Sequence, residues 1–139
     1  KRDLTVVDIT SSRMLMAYGF LRRVFEVFER FRTAVDVVTT SEVSVSVTVD
    51  DARRVDSIVE NLRGFAEVSL EREMAIICAV GEDIHEDPKA FGRAVMALES
   101  IPLRMVSQAA SRRNITFVLK DADVPQAMTR LHDAFFGNG

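Results

Sequence analysis

GFLRRVFEVFERFRTAVDVVTTSEVSVSVTVD, running from Gly19 to Asp50, is the stretch that decides the fold. It reads as a glycine-led helix, a strand, a tight turn and a second strand. The helix start and the strand after it are expected side by side at one end of a sheet. In the helix, Phe20, Leu21, Val24, Phe25, Val27, Phe28 and Phe31 cover an arc of roughly 160°, wider than the ~100° stripe of a one-sided surface helix. That width predicts contact with the sheet and with something further, a partner subunit being one candidate. Arg22, Glu26 and Arg30 form an i,i+4 ladder of alternating sign on the other side. Ala34 to Ser41 is the next strand. Val43 to Val49 alternates strictly, with Val43, Val45, Val47 and Val49 on one face and Ser44, Ser46 and Thr48 on the other. This predicts a half-covered antiparallel strand with one wet face.

Working outward, Leu4 to Thr10 is β-rich, with Val6, Val7 and Ile9 forming a buried strand. Asp50 or Asp51 caps a helix from about Ala52 to Leu62, whose inner stripe is Val55, Ile58, Val59 and Leu62. Gly64 ends that helix, and Ala66 to Leu70 is a short strand. The order β-α-β-β-α-β is ferredoxin-like. The pattern then restarts about 70 residues on. Met74 to Val80 is a strand, Pro88 begins a helix through about Ser100, and Leu103 to Ala110 and Asn114 to Leu119 are strands. Asp121 or Asp123 caps a last helix from Val124 to Phe136. The fold class is therefore α+β, with two ferredoxin-like domains, 1-72 and 73-139. The second lacks its last strand, which is expected to come from sequence upstream of Lys1.

The 139 residues carry a net charge of −3, 47% hydrophobic and 28% charged residues. That balance disfavours a nucleic-acid or anionic-membrane surface. No apolar run approaches the roughly 18 residues needed to span a bilayer, and no signal peptide is visible. There is no initiator methionine, so the chain reads as part of a longer polypeptide. The single cysteine, Cys78, fits a reducing cytoplasm.

No phosphate-binding glycine loop is present. His85 and His132 fall in different units and read as surface residues, while Cys78 sits in a strand read as core. Neither a metal site nor a Cys/His dyad assembles, so the chain is not expected to be a catalyst, to have a catalytic residue or to hold a metal. An RNA-recognition module of the same β-α-β-β-α-β order would need stacking aromatics that VSVSVTV and NITFVL do not supply. Small-molecule binding is better served. The helix terminus at Gly19 offers backbone N–H groups and a positive dipole end to a carboxylate. Asp36 is an acid among Ala34, Val35, Val37 and Val38. Two readings of it stay open, a solvated residue on a strand edge and a partner for a ligand ammonium. Thr40, Ser41 and Glu42 are equally a polar turn or further lining.

RMLMAYGFLRRVFEVFER, AVDVVTTSEVSVSVTVD, the later MVSQAAS and ITFVL, and the closing LHDAFF together resemble the regulatory region of lysine-sensitive aspartate kinases, a pair of ACT domains. The resemblance implies that two first ACT domains pair as a homodimer with L-lysine at their junction. Gly19, Phe20 and Leu21 would hold its carboxylate through backbone N–H groups. Asp36 would face its ammonium, and Met14, Val35, Thr40, Ser41 and Glu42 would line the site. The parent would be an aspartate kinase whose catalytic domain, upstream in the same chain, uses ATP and Mg, this region itself holding no cofactor. The string TTSE favours lysine over the expanded QSSSE-like string of threonine-sensitive relatives. Met16 and Ala34 depart from the histidine and serine of enterobacterial members. The alternatives are a dimerisation module without ligand, or a sensor of threonine or S-adenosylmethionine. In the second domain Arg104 stands where Asp36 stands in the first, which implies pairing and transmission there instead of lysine binding.

Overall fold

The computed structural model describes residues 1–11, 19–41, 43–80, 88–108 and 114–137. The chain divides into two compact units, one of Asp3–Glu73 and one of Lys1–Arg2 together with Met74 onward. The division falls one residue beyond the expected 72/73 boundary, and the first two residues go with the later unit.

In the earlier unit, β1 (Leu4–Ser11) leads to α1 (Phe20–Arg30), β2 (Val38–Thr40), β3 (Ser44–Val49), α2 (Val55–Leu62) and the first half of β4 (Ala66–Val80). The strands lie in the order β2-β3-β1-β4, with β3 antiparallel to both β1 and β2. Alternation puts Val7 and Ile9 of β1 beside Val47 and Val45 of β3. Those four join Phe20, Val24, Val27 and Phe28 of α1 and Val55, Ile58, Val59 and Leu62 of α2 in one core. Each such side chain contributes about 1.5–3 kcal/mol on burial. Leu21, part of the wide apolar arc, is 37% exposed and stands off this core. Arg22 pairs with Glu26 as the ladder predicts, but Arg30 turns to the Asn61 amide oxygen of α2.

Three expectations need correction here. β2 spans only Val38–Thr40, because Asp36 and Val37 both face Thr48 and break the ladder. Thr48 is not on a wet face: it is fully buried beside its register partner Val6. The two strands read as Ala66–Leu70 and Met74–Val80 are one, β4, which stays extended through the charged Glu71–Glu73 run apart from a left-handed turn at Glu73 (φ +57). Of the two candidate caps, Asp51 is the one used. It accepts the Arg53 N–H at 3.1 Å and caps a 3-10 turn, Ala52–Arg54, ahead of α2. The Arg53 side chain, hydrogen-bonded to Asp51, lowers its carboxyl pKa to about 2.

The later unit holds the second half of β4, α3 (Lys89–Ala97), β5 (Leu103–Ser107), β6 (Asn114–Lys120) and α4 (Val124–Phe136). β6 lies between β4 and β5, antiparallel to each. Its core gathers Ile77, Ala90, Ala94, Leu98, Ile115, Phe117, Leu119, Ala127 and Leu131. Cys78 is not core: Ile77 takes the inward position, so the pleat turns Cys78 outward, where its sulfur lies 3.5 Å from the Thr116 hydroxyl. Asp123 stands at the N-cap of α4 and gives it no side-chain hydrogen bond. The Asp121 carbonyl accepts from Arg2. Lys1 exchanges both backbone hydrogen bonds with Ile76 (2.8 and 3.1 Å), on the side of β4 away from Val118.

Candidate functional site

Gly19 is the N-cap of α1 at φ +84, a left-handed conformation that glycine adopts without the steric cost of a Cβ. It supplies no side-chain cap, and the first turn of α1 carries no acid. The terminus therefore keeps its positive dipole end free of any acid from the helix's own first turn. Phe20 anchors this end in the core, its ring edge-on to Phe65 at 6.1 Å. Leu21, next along, faces outward.

Asp36 is placed by a different contact. Its amide donates to the Thr48 carbonyl at 3.0 Å, and the Thr48 amide donates back to the Val37 carbonyl at 3.0 Å. The Val37 amide donates to the Thr48 hydroxyl at 2.9 Å. Two residues opposite one is a β-bulge, a device that re-aims the side chains beside it. Asp36 is exposed there, and Val35 is half-buried against the core. Thr40 is exposed, and the Ser41 hydroxyl sits 2.7 Å from that of Ser44 across the turn. Met14 and Glu42 lie outside the described residues, as do Met16 and His85.

Within one chain these residues form two groups. The C-terminal end of α1 is held at the β3–α2 junction, where Arg54 donates to the Phe31 carbonyl at 3.0 Å. Asp36 is on the same junction through Thr48. The Gly19 end lies one helix length away, about 16 Å for eleven residues at 1.5 Å each. Thr40 pairs with Val45, four residues along from Asp36, or roughly 13 Å. The helix terminus and Asp36 are thus at opposite ends of α1, not side by side as the sequence reading had them.

Thr48 is the residue that sequence reasoning missed. In SVSVTV it reads as one of three interchangeable polar positions, and only its β-branch hints at burial. The later unit has the same irregularity. Leu103 pairs with Leu119 and Met105 with Val118, so Arg104 is the extra residue. Arg104 occupies the place of Asp36, and Val118 the place of Thr48. A separate groove of about 280 Å³ lies between α1 and α2, lined by Arg23, Glu26, Val27, Arg30, Asn61, Gly64 and Phe65. It shares no residue with the predicted site. Among the described residues no three His, Cys, Asp or Glu side chains gather as a metal site.

A family model described as the ACT domain matches residues 77–135. A structure described as a C-terminal regulatory domain of aspartate kinase from Porphyromonas gingivalis W83 superposes with a TM-score of 0.86 at 34% identity, covering 98% of this chain and 94% of that one. The chain belongs to the ACT-domain regulatory regions of the aspartokinases. This part of an aspartokinase is regulatory and non-catalytic. E. coli aspartokinase III, solved in complex with lysine and aspartate in a T-state, matches with a TM-score of 0.83 and 32% identity over 98% of this chain and 32% of that one. Aspartokinase 3, chloroplastic, of Arabidopsis thaliana is 39% identical over 98% of this chain. The aspartokinase regulatory region here spans 26% of that plant relative. No helix among its described residues is long and apolar enough to cross a membrane.

Proposed function

We propose that the parent protein is an aspartate kinase, phosphorylating L-aspartate with ATP and Mg in an upstream catalytic domain, and that this region binds L-lysine for feedback inhibition. The observation that carries the reading is the division of the site. A helix terminus suited to a carboxylate and an acid suited to an ammonium stand about a helix length apart in one chain. Pairing two earlier units about a two-fold axis, in antiparallel fashion, brings the Gly19 terminus of one copy toward Asp36 of the other. An α-amino acid with a basic tail fits between them, and lysine has both ends. The E. coli relative crystallised with lysine supports the same choice. Leu21 and Val38, both exposed, supply apolar surface for the pairing.

Lysine inhibits in this scheme by binding one arrangement of the dimer more tightly than another, which shifts the kinase toward its low-activity state. The free thiol of Cys78 fits a cytoplasmic setting. Calorimetric titration with lysine tests the assignment, with threonine, methionine and S-adenosylmethionine as comparisons and sedimentation for the dimer. Heat with lysine alone, lost in Asp36→Ala, is the expected result. Dimers that bind no amino acid would leave a pairing module, and heat with threonine or S-adenosylmethionine instead would reassign the effector.

A further inference from the structure

We propose that the groove between α1 and α2 is a binding site for a small organic dianion, with a carboxylate or phosphate at each end and an apolar body between. It stands apart from the lysine reading, since the groove shares no residue with the Gly19 and Asp36 groups. Arg23 and Arg30 both line it, on one stripe of α1 and about two helical turns apart, or about 10 Å along the axis. Among the described residues neither meets a carboxylate. Arg23 lies over the Phe65 ring at 4.1 Å, and Arg30 donates to the Asn61 amide oxygen at 3.3 Å. A guanidinium carries several N–H donors, so most of theirs stay available to a ligand.

Neither contact neutralises the charge. Each instead holds a long side chain in place, which lowers the entropy that binding would have to remove. Phe65 is itself fixed edge-on against the buried Phe20, and the Asn61 amide nitrogen is tied to the Ser57 carbonyl at 2.9 Å. Arginine takes carboxylate and phosphate alike, through paired N–H bonds. Apolar surface in the same groove comes from Val27 and the half-buried Phe65. The acid of the groove, Glu26, is paired at 3.0 Å with Arg22, which does not line it. A volume of about 280 Å³ suits a molecule of metabolite size.

Calorimetric titration of the whole chain with suberate and with hexane-1,6-diol bisphosphate tests the site, with octanoate as a one-ended control. A saturable site for at least one dianion is expected, with octanoate weaker than suberate by about tenfold or more if the carboxylate binds. Which dianion binds more tightly tells a carboxylate ligand from a phosphate one. Arg23→Gln and Arg30→Gln, both at exposed positions, should fold and each weaken that dianion by about tenfold or more. Glu26→Gln should tighten it by about twofold or more. Lysine affinity should be the same in these variants as in wild type. No saturable binding of either dianion at millimolar concentration overturns the proposal, as does binding unchanged in the Arg23→Gln, Arg30→Gln double variant, or octanoate matching suberate. A parallel loss of lysine and dianion binding in the arginine variants also overturns it, because the substitutions would then be disturbing the whole unit.

Discussion

The Val37 amide donates to the buried Thr48 hydroxyl at 2.9 Å, beside two backbone-to-backbone bonds that join Thr48 to Asp36 and Val37. Removing that acceptor leaves a part-buried N–H with no protein partner, which costs about 1–3 kcal/mol. Thr48→Val should therefore lower the unfolding free energy by that amount, read as a lower urea midpoint at an unchanged m-value, while the chain stays folded. A midpoint at or above that of wild type would show that water serves the Val37 amide equally well.

Gly19 has open space where a Cβ would stand, with nothing within 4 Å. Its requirement for glycine is thus conformational, set by φ +84. Gly19→Ala should cost about 1–2 kcal/mol from the left-handed backbone alone, and Gly19→Asn less, since asparagine tolerates that region. Thermal unfolding of the two variants side by side checks the order. Equal losses would point to a clash that the geometry does not contain.

Phe20 is 5% exposed and packs edge-on against Phe65, over which Arg23 also lies at 4.1 Å. Phe20→Ala should destabilise by about 3–5 kcal/mol, enough to unfold the earlier unit in much of the population. Phe20→Leu should lose far less. Circular dichroism melts of both variants measure the difference.

Asp51 titrates near 2 in the folded chain, against an ordinary value of 3.8, chiefly because its carboxylate is hydrogen-bonded to the Arg53 side chain. A lowered folded pKa means that the stabilisation is present above the unfolded value. It is lost as pH falls from about 4 through about 2. The carboxyl carbon shift of Asp51, followed by NMR, should show a midpoint near 2. Arg53→Ala should move that midpoint back toward 3.8. An unmoved midpoint would assign the shift to another group.

Cys78 is exposed on β4, so a thiol-specific chromogenic reagent should modify one cysteine per native chain without denaturant. Modification that waits for unfolding would return Cys78 to the core where the sequence reading had put it.

The helix and strand order was legible because period and punctuation agree. Glycine opens α1, the apolar residues of α1 and α2 recur at helical spacing, and the valines of β3 alternate. What stayed illegible depends on pairing between strands. MAIICAV is apolar throughout, so nothing in the string tells Ile77 from Cys78; the pleat makes that choice. The Glu71–Glu73 charges read as a break because charge marks solvent, yet an edge or partly open strand carries charge without ending. The bulge at Asp36 follows from Thr48, twelve residues later, and no local pattern announces it. The helix terminus and the lone acid were both found, but their separation is a matter of helix length and strand register.

Lys1 is bonded to Ile76, and Arg2 to Asp121, while everything from Asp3 to Glu73 belongs to the other unit. On the ribosome, Lys1 therefore waits for a partner made 75 residues later, and in that interval the whole of the earlier unit emerges. The order of synthesis favours the half carrying Gly19, Asp36 and Thr48, which can assemble before its neighbour has a second strand to compete for it.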